Sequence, residues 1–312
     1  MTANSLTPVR KKKTAWQKIK KCWQLYIVIL LPLLYLAIFH YAPMYGIQIA
    51  FRDYDVYEGI LGSRWVGLDY FRRFITNYKF LRIVRNTITI SLYSLIAGMP
   101  VPILLAISLN ECGSGKFKKL VQTVTYAPHF ISTVVMVSML ILFLSMNNGM
   151  LNNIIAALGG QRINFMAQPS MFKTIYVLSG IWQGMGYSSI IYLAALTAVD
   201  PSLYEAALID GSTRLQKIWY IDLPSILPTI VILLIMNAGQ LMNVGFEKIY
   251  LMQNDLNITS SEIISTYVYK LGIERADFSY STAISLFNSV INLFLLVTVN
   301  QIARRVGETS LW

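Results

Sequence analysis

Asn237, Gln240 and Asn243 recur at i, i+3 and i+6, a spacing that puts three carboxamides on one face of a helix. Ser285, Asn288, Ser289 and Asn292 form a second polar stripe. Trp182, Gln183, Tyr187 and Tyr192 mix amide and aromatic groups in a third stretch. Such side chains hydrogen-bond and stack, and none is an activated nucleophile. In an apolar chain they have two uses: lining a polar path, or bonding neighbouring helices for roughly 0.6–2 kcal/mol each. Any single residue fits the second use, whereas the aligned carboxamides together favour a lined cavity. Gly180, Gly184 and Gly186 suit close helix packing.

Catalytic chemistry is missing elsewhere. His40 and His129 stand alone near the edges of apolar stretches, where helix packing explains them better than a metal site or proton relay. No H-E-x-x-H, C-x-x-C or G-x-S-x-G pattern occurs. Gly113-Ser114-Gly115-Lys116-Phe117 comes nearest to a phosphate loop. Asn110, however, stands where its first glycine belongs and Phe117 where its hydroxyl belongs. The chain is therefore expected to hold no metal or cofactor and to leave ATP hydrolysis to another protein. Two cysteines in 312 residues exclude a disulfide scaffold. Asn257-Ile258-Thr259 matches a glycosylation sequon, a pattern short enough to arise by chance.

One polar stretch is too regular for a linker. Residues 198–224 read AVDPSLYEAALIDGSTRLQKIWYIDLP. Asp200-Pro201 breaks the preceding helix, Ser202 is placed to cap the next one, and Glu205 is expected in its first turn. Leu203, Ala206 and Ala207 give that helix a small-residue face, and Gly211 ends it. A second amphipathic segment, Leu215 to Ile221, leads to Leu223-Pro224. The stretch carries four acids and two basic residues, a balance suited to engaging a partner.

The elements that position these groups follow from composition. The chain is 55% hydrophobic and 13% charged, with mean hydropathy +0.53, whereas soluble domains carry about 25% charged residues. So little charge cannot solvate a soluble globule of this size, and the hydrophobic content excludes disorder. Crossing a hydrocarbon core of about 30 Å takes about 20 apolar residues. Six stretches qualify, at about 25–50, 87–110, 120–145, 171–197, 224–246 and 281–303. Pro32, Pro100, Pro102 and Pro228 lie in or near them as tolerated kinks.

An even number of spans puts both termini on one side, and seven basic residues before residue 24 place that side in the cytosol. The segments then inside hold 14 Lys/Arg and those outside 12. Seven of the outer ones fall in residues 51–86, several within the amphipathic run FRRFITNYKFLRIVRN. The basic tail reads as a topogenic, lipid-facing segment and not as a nucleic-acid arm. No acid lies in the central part of a span, which disfavours an ion-coupled carrier. The absence of a catalytic constellation disfavours a membrane enzyme.

Glu205-Ala206-Ala207, Asp210-Gly211 and Ile221-x-Leu223-Pro224 resemble the EAA loop of binding-protein-dependent ABC importer permeases. The glycine follows the last alanine by four residues and Leu-Pro follows by twelve more. Tyr41-Ala42-Pro43-Met44-Tyr45-Gly46, Trp65-Val66-Gly67-Leu68, Asn86-Thr87, Pro128-His129-Phe130-Ile131-Ser132 and Gly307-Glu308-Thr309-Ser310-Leu311-Trp312 are similar to the polysaccharide-type branch of that group.

The resemblance implies an all-α membrane protein of type I ABC importer permease fold. It would have six transmembrane helices and a cytosolic coupling helix between helices 4 and 5. A cytosolic tail (1–24), a six-span permease domain (25–306) and a short cytosolic tail (307–312) follow. The implied partners are a second homologous permease, two cytosolic ATPases that bind ATP and Mg, an extracellular solute-binding lipoprotein, a carbohydrate and the bacterial cytoplasmic membrane. Glu205, Ala206, Ala207, Asp210, Gly211, Leu223 and Pro224 would couple to the ATPase. From the polar stripes themselves, and not from the resemblance, Trp182, Gln183, Tyr187, Asn237, Gln240, Asn243, Asn288 and Asn292 are expected to line the substrate path. The EAA loop reports coupling and not cargo, so an importer of a non-sugar solute is the nearest alternative.

Overall fold

A computed structural model describes residues 21–113 and 115–306. Most of the basic tail, Ser114 and the 307–312 run lie outside the described residues. Helices dominate, joined by a single two-stranded ribbon among the described residues, β1 (Arg52–Asp53) antiparallel to β2 (Arg64–Trp65).

Among the described residues, four helical stretches are long and apolar enough to cross a membrane: Trp23–Phe51, Phe80–Asn110, Arg214–Ala238 and Phe278–Arg305. The first begins with α1 (Trp23–Leu36), of which the rest of the chain buries no side chain, a state that suits lipid and not water. The second comprises α2 (Phe80–Gly98) and α3 (Pro100–Asn110), whose prolines fall at the start of the second piece, where no N–H is lost. It starts at Phe80, earlier than expected, because the end of the amphipathic run is already helical.

The expected third span, 120–145, is not one continuous helix. Here α4 (Gly115–Tyr126) and α5 (Thr133–Phe143) meet at about 100° through a 3₁₀ turn, Ala127–Phe130. Pro128 within that turn and Ser132, whose hydroxyl accepts from Val135 N–H at 3.4 Å, end one helix and cap the next. The fourth, α6 (Pro169–Thr197), runs 29 residues, about 43 Å at 1.5 Å per residue. It is long enough to span but less apolar than the others, because Ser179, Gly180, Gln183, Gly184, Gly186, Ser188 and Ser189 replace aliphatic residues along it.

After α6 come a short helix, α7 (Pro201–Ile209), and the apolar stretch Arg214–Ala238, which ends in α8 (Leu223–Ala238). Where a span is expected over 224–246, this stretch stops at Ala238; residues 239–245 are turns and irregular backbone leading to α9 (Phe246–Met252). A six-residue helix, α10 (Ile264–Tyr269), precedes the last of the long apolar stretches, α11 (Phe278–Val306). Buried clusters around Phe74 and Tyr280, around Ile90 and Phe172, and around Ala106 and Ile226 tie these helices together from one end of the bundle to the other.

Candidate functional site

A cleft of about 600 Å³ lies between α2, α3, α6 and the end of α8. Gln183, Tyr187 and Tyr192 reach it from α6; Asn237, Gln240 and Asn243 reach it from the other side; Ser91 and Ser94 come from α2. Of the expected path residues, Trp182, Asn288 and Asn292 are not on its wall. The three carboxamides share the cleft without sharing a helical face, because only Asn237 belongs to α8.

Side chains from elsewhere satisfy the backbone where the helices break, as an apolar surrounding requires. Met242 N–H donates to Asn292 Oδ1 at 2.9 Å, and the Ser91 hydroxyl donates to the Leu241 carbonyl. Asn243 Oδ1 accepts from Asn288 Nδ2 (3.0 Å) and Asn292 Nδ2 (3.1 Å), while its own Nδ2 donates to Gln240 Oε1 at 2.9 Å. Asn288 and Asn292 thus hold the unwound turn in place. At the other break, Gln183 Nε2 donates to the Ile131 carbonyl at 2.9 Å, and Tyr187 stacks on His129 with centroids 3.9 Å apart.

The glycines of α6 divide the same way. A Cβ at Gly186 would run into the Thr125 carbonyl, so this glycine permits the approach of α4, as expected. A Cβ at Gly184 would meet nothing within 4 Å, and one at Gly180 would meet Lys248 Nζ at 3.3 Å. Both of these glycines line the cleft instead of a helix contact.

Lys248, expected among the basic residues of an outer loop, is a cleft residue. It sits on α9 with 8% of its surface exposed. Its ammonium donates to the Tyr176 carbonyl at 2.8 Å and lies 4.6 Å from the Tyr176 ring centre. Its local signal is that of a lone Lys two residues past an expected span end, the same as that of a loop residue.

At the other end of α6, residues 198–224 fold as a second feature. Asp200, and not Ser202, caps α7: Asp200 Oδ1 accepts from Ser202 N–H at 2.9 Å, with Pro201 in the first helical position. Glu205 therefore falls in the second turn, where the helix dipole helps it less. Gly211 adopts φ +70°, and Ser212 N–H donates to the Ala207 carbonyl at 2.9 Å, closing the helix in a Schellman turn. Asp210 is its C-terminal cap residue. Thr213 and Gln216 form a capping box for the next turn, which runs through a π-turn, Ile218–Asp222, into Leu223-Pro224.

One contact straps α7 to the base of α8 and a second ties the feature to the end of α3. Tyr204 Oη donates to Asp222 Oδ1 at 2.6 Å, and Lys217 Nζ lies 3.6 Å from Glu111. Burial, with Asp222 beside it, pushes the Tyr204 phenol up to about 12. Glu205 and Ala206 stay exposed, and Leu208 and Ile209 are 76% and 86% exposed. This helix is held rigid beneath and left bare on its outer side.

The sequence of the whole chain decides the lineage. Residues 98–308 match the family model described as the binding-protein-dependent transport system inner membrane component. The chain belongs to this family. Among relatives of this permease, the polygalacturonan/rhamnogalacturonan transport system permease YteP of Bacillus subtilis is 44% identical over 97% of this chain and 94% of its own length. The Bacillus subtilis protein LplB is 40% identical over 96% and 95%. A chain of the crystal structure of a bacterial alginate ABC transporter, in complex with an alginate pentasaccharide-bound periplasmic protein, superposes with TM-score 0.88. It is 39% identical, over 96% of this chain and all of that one.

Several runs that carried the resemblance have structural work in this permease. Asn86 Nδ2 donates to the carbonyls of Thr259 (2.9 Å) and Glu262 (3.1 Å), and Thr87 Oγ1 accepts from Ile264 N–H at 3.1 Å. They pin residues 258–264 to α2. Gly67 takes φ +64° so that its N–H reaches the Phe51 carbonyl at 3.1 Å, beside the stacked Phe51 and Trp65 rings. Two of the basic residues of the 51–86 segment bond acids across the same end of the bundle, Arg82 with Glu262 at 2.7 Å and Arg73 with Asp277 at 3.3 Å. Asn257 of the sequon is 0% exposed and donates to the Met166 and Met252 carbonyls, so it is no glycosylation acceptor in this fold.

Proposed function

We propose that this permease is one transmembrane half of an ATP-driven importer for a carbohydrate delivered by an extracellular binding protein. The cargoes and the saccharide-bound periplasmic protein named for its relatives support that reading. On this reading α6 is the fourth of six spans, the bent α4–α5 pair is the third, and both termini are cytosolic in a bacterial cytoplasmic membrane. The domain limits 1–24, 25–306 and 307–312 follow. A second homologous permease completes the pathway, and two cytosolic ATPases bind the ATP and Mg; this chain needs no cofactor of its own.

The observation that carries the reading is the pairing of an exposed α7, strapped to the base of α8, with a polar and aromatic cleft bounded by the same helix. We take α7 as the coupling helix. Glu205 meets a basic residue of the ATPase, while Ala206, Ala207 and the Gly211 turn let it approach closely, and Leu208 and Ile209 lose their exposure in the groove. Asp210 stops the helix there, and Leu223-Pro224 hands the motion to α8. ATP shifts the population between two packings of the bundle, moving the cleft from cytosolic to outward access. Gln183, Tyr187, Asn237 and Gln240 present hydrogen-bonding and stacking groups to a polyhydroxylated cargo.

Purification of the tagged permease with the products of adjacent genes tests the proposal. An ATPase and an extracellular lipoprotein should co-purify, and hydrolysis should rise when saccharide-loaded binding protein is added. Hydrolysis indifferent to loading would reject it.

A further inference from the structure

Among the described residues, Lys248 is the one charged side chain on the wall of the cleft. Its ammonium has three N–H donors, and its protein hydrogen bond, to the Tyr176 carbonyl, uses one. The ion pairs among the described residues engage Arg73, Lys79, Arg82 and Lys217, and none places a carboxylate within 4 Å of Lys248. The surroundings are shaped to admit the amine. Gly180 leaves out the Cβ that would crowd Nζ at 3.3 Å, and at Gly245 a Cβ would press on Tyr176 Oη at 3.0 Å.

Packing alone does not explain such a group. A buried ammonium without a counter-charge loses hydration that one carbonyl and one ring face do not replace. A methionine would fill the same space without that loss. The deficit is made good if an anion arrives in the cleft, next to the neutral donors and acceptors of Gln183, Asn237 and Gln240.

We propose that Lys248 is the counter-charge for a carboxylate on the transported saccharide, so that the cleft selects acidic over neutral sugars. The inference rests on the carbohydrate-importer reading and adds to it a substrate class and a specificity residue. The rest of the wall recognises hydroxyls and pyranose faces common to all sugars, whereas Lys248 distinguishes a uronate from its neutral counterpart.

The full complex, with its ATPase and binding protein, is reconstituted into proteoliposomes. Uptake is followed for tetragalacturonate, an alginate tetrasaccharide, and the same oligosaccharides with every carboxyl reduced to an alcohol. Wild type should prefer an acidic form by about tenfold or more, as a buried polar group left unpaired by the wrong substrate dictates. Lys248→Met should lose most of that preference, and Lys248→Arg should keep most of it.

A Lys248→Met complex that assembles and imports the acidic form at the wild-type rate overturns the proposal. So does wild-type import of the reduced form as fast as the acidic one. Equal loss of both forms in the Met and Arg variants would mark Lys248 as structural and overturns it too. Import of no saccharide by wild type would instead remove the carbohydrate reading beneath it.

Discussion

Tyr204 donates its phenolic hydrogen to Asp222 at 2.6 Å, across 18 residues of chain, and so joins α7 to the base of α8. Asp222 is 0% exposed and its second oxygen, Oδ2, has no hydrogen-bond partner among the described residues. Tyr204→Phe would leave that carboxylate without a donor, at a cost of about 1–3 kcal/mol. Thermal unfolding of the purified complex should show the loss, and stimulated ATP hydrolysis should uncouple from uptake.

The pH behaviour of that strap follows from the phenol. Its folded value, about 12, exceeds the ordinary value of 10.0, so the bonded, protonated form is favoured by folding. The contribution is fully present below the ordinary value and is lost as pH rises through the folded one. The stability difference between wild type and Tyr204→Phe should therefore stay constant from about pH 7 to 9. A difference that vanished by pH 9 would contradict the assignment.

Glu205 is exposed, and no hydrogen bond or ion pair holds it within the described residues. Glu205→Lys should leave the fold and melting behaviour unchanged while abolishing uptake, with the complex assembled or weakly assembled. Normal transport would remove the coupling role.

Gly186 and Gly184 give a paired test on one helix. Gly186→Ala forces a methyl into the Thr125 carbonyl and should destabilise by about 1–3 kcal/mol through overpacking. Gly184→Ala meets no atom within 4 Å, so the fold should tolerate it. Detergent-solubilised melting curves compare the two directly.

The cleft carboxamides separate in the same manner. Asn243→Leu removes the acceptor for both Asn288 and Asn292 and should lower stability, because two buried or half-buried donors lose a partner. Asn237→Leu alters only an exposed group on the cleft wall, so saccharide uptake should fall without a change in melting. Unchanged uptake in Asn237→Leu would take that residue out of the path.

Much of the candidate site was legible because its signals are local. The spacing of Glu205, Ala206, Ala207 and Gly211 is read within about three helical turns, and Gly211 does end α7 with a left-handed residue. Asp200 and not Ser202 is the cap because Pro201 starts the helix two residues earlier than expected, which puts Ser202 inside the first turn with its own N–H donated to the Asp200 carboxylate. The helix carrying Asn237 stops one residue later, and the local cue is slight: Gly239 follows it but keeps helical dihedrals. Its continuation to Asn243 is prevented by bonds to Asn292 and Ser91, 50 and 150 residues away in sequence.

The sequence by itself determined that this is a membrane chain with charge confined outside its apolar stretches, and where its EAA loop lies. Apolar length, charge deficit and motif spacing are properties of neighbouring residues, so no fold is needed to read them. The tertiary structure decided which polar residues face the cleft and which brace the broken helices. It also decided that Lys248 belongs to the cleft and that Arg82 belongs with Glu262. Those assignments depend on where the backbone leaves its helix and which distant side chain takes over its hydrogen bonds. In an apolar surrounding, every such departure must be satisfied by a partner that only packing can bring.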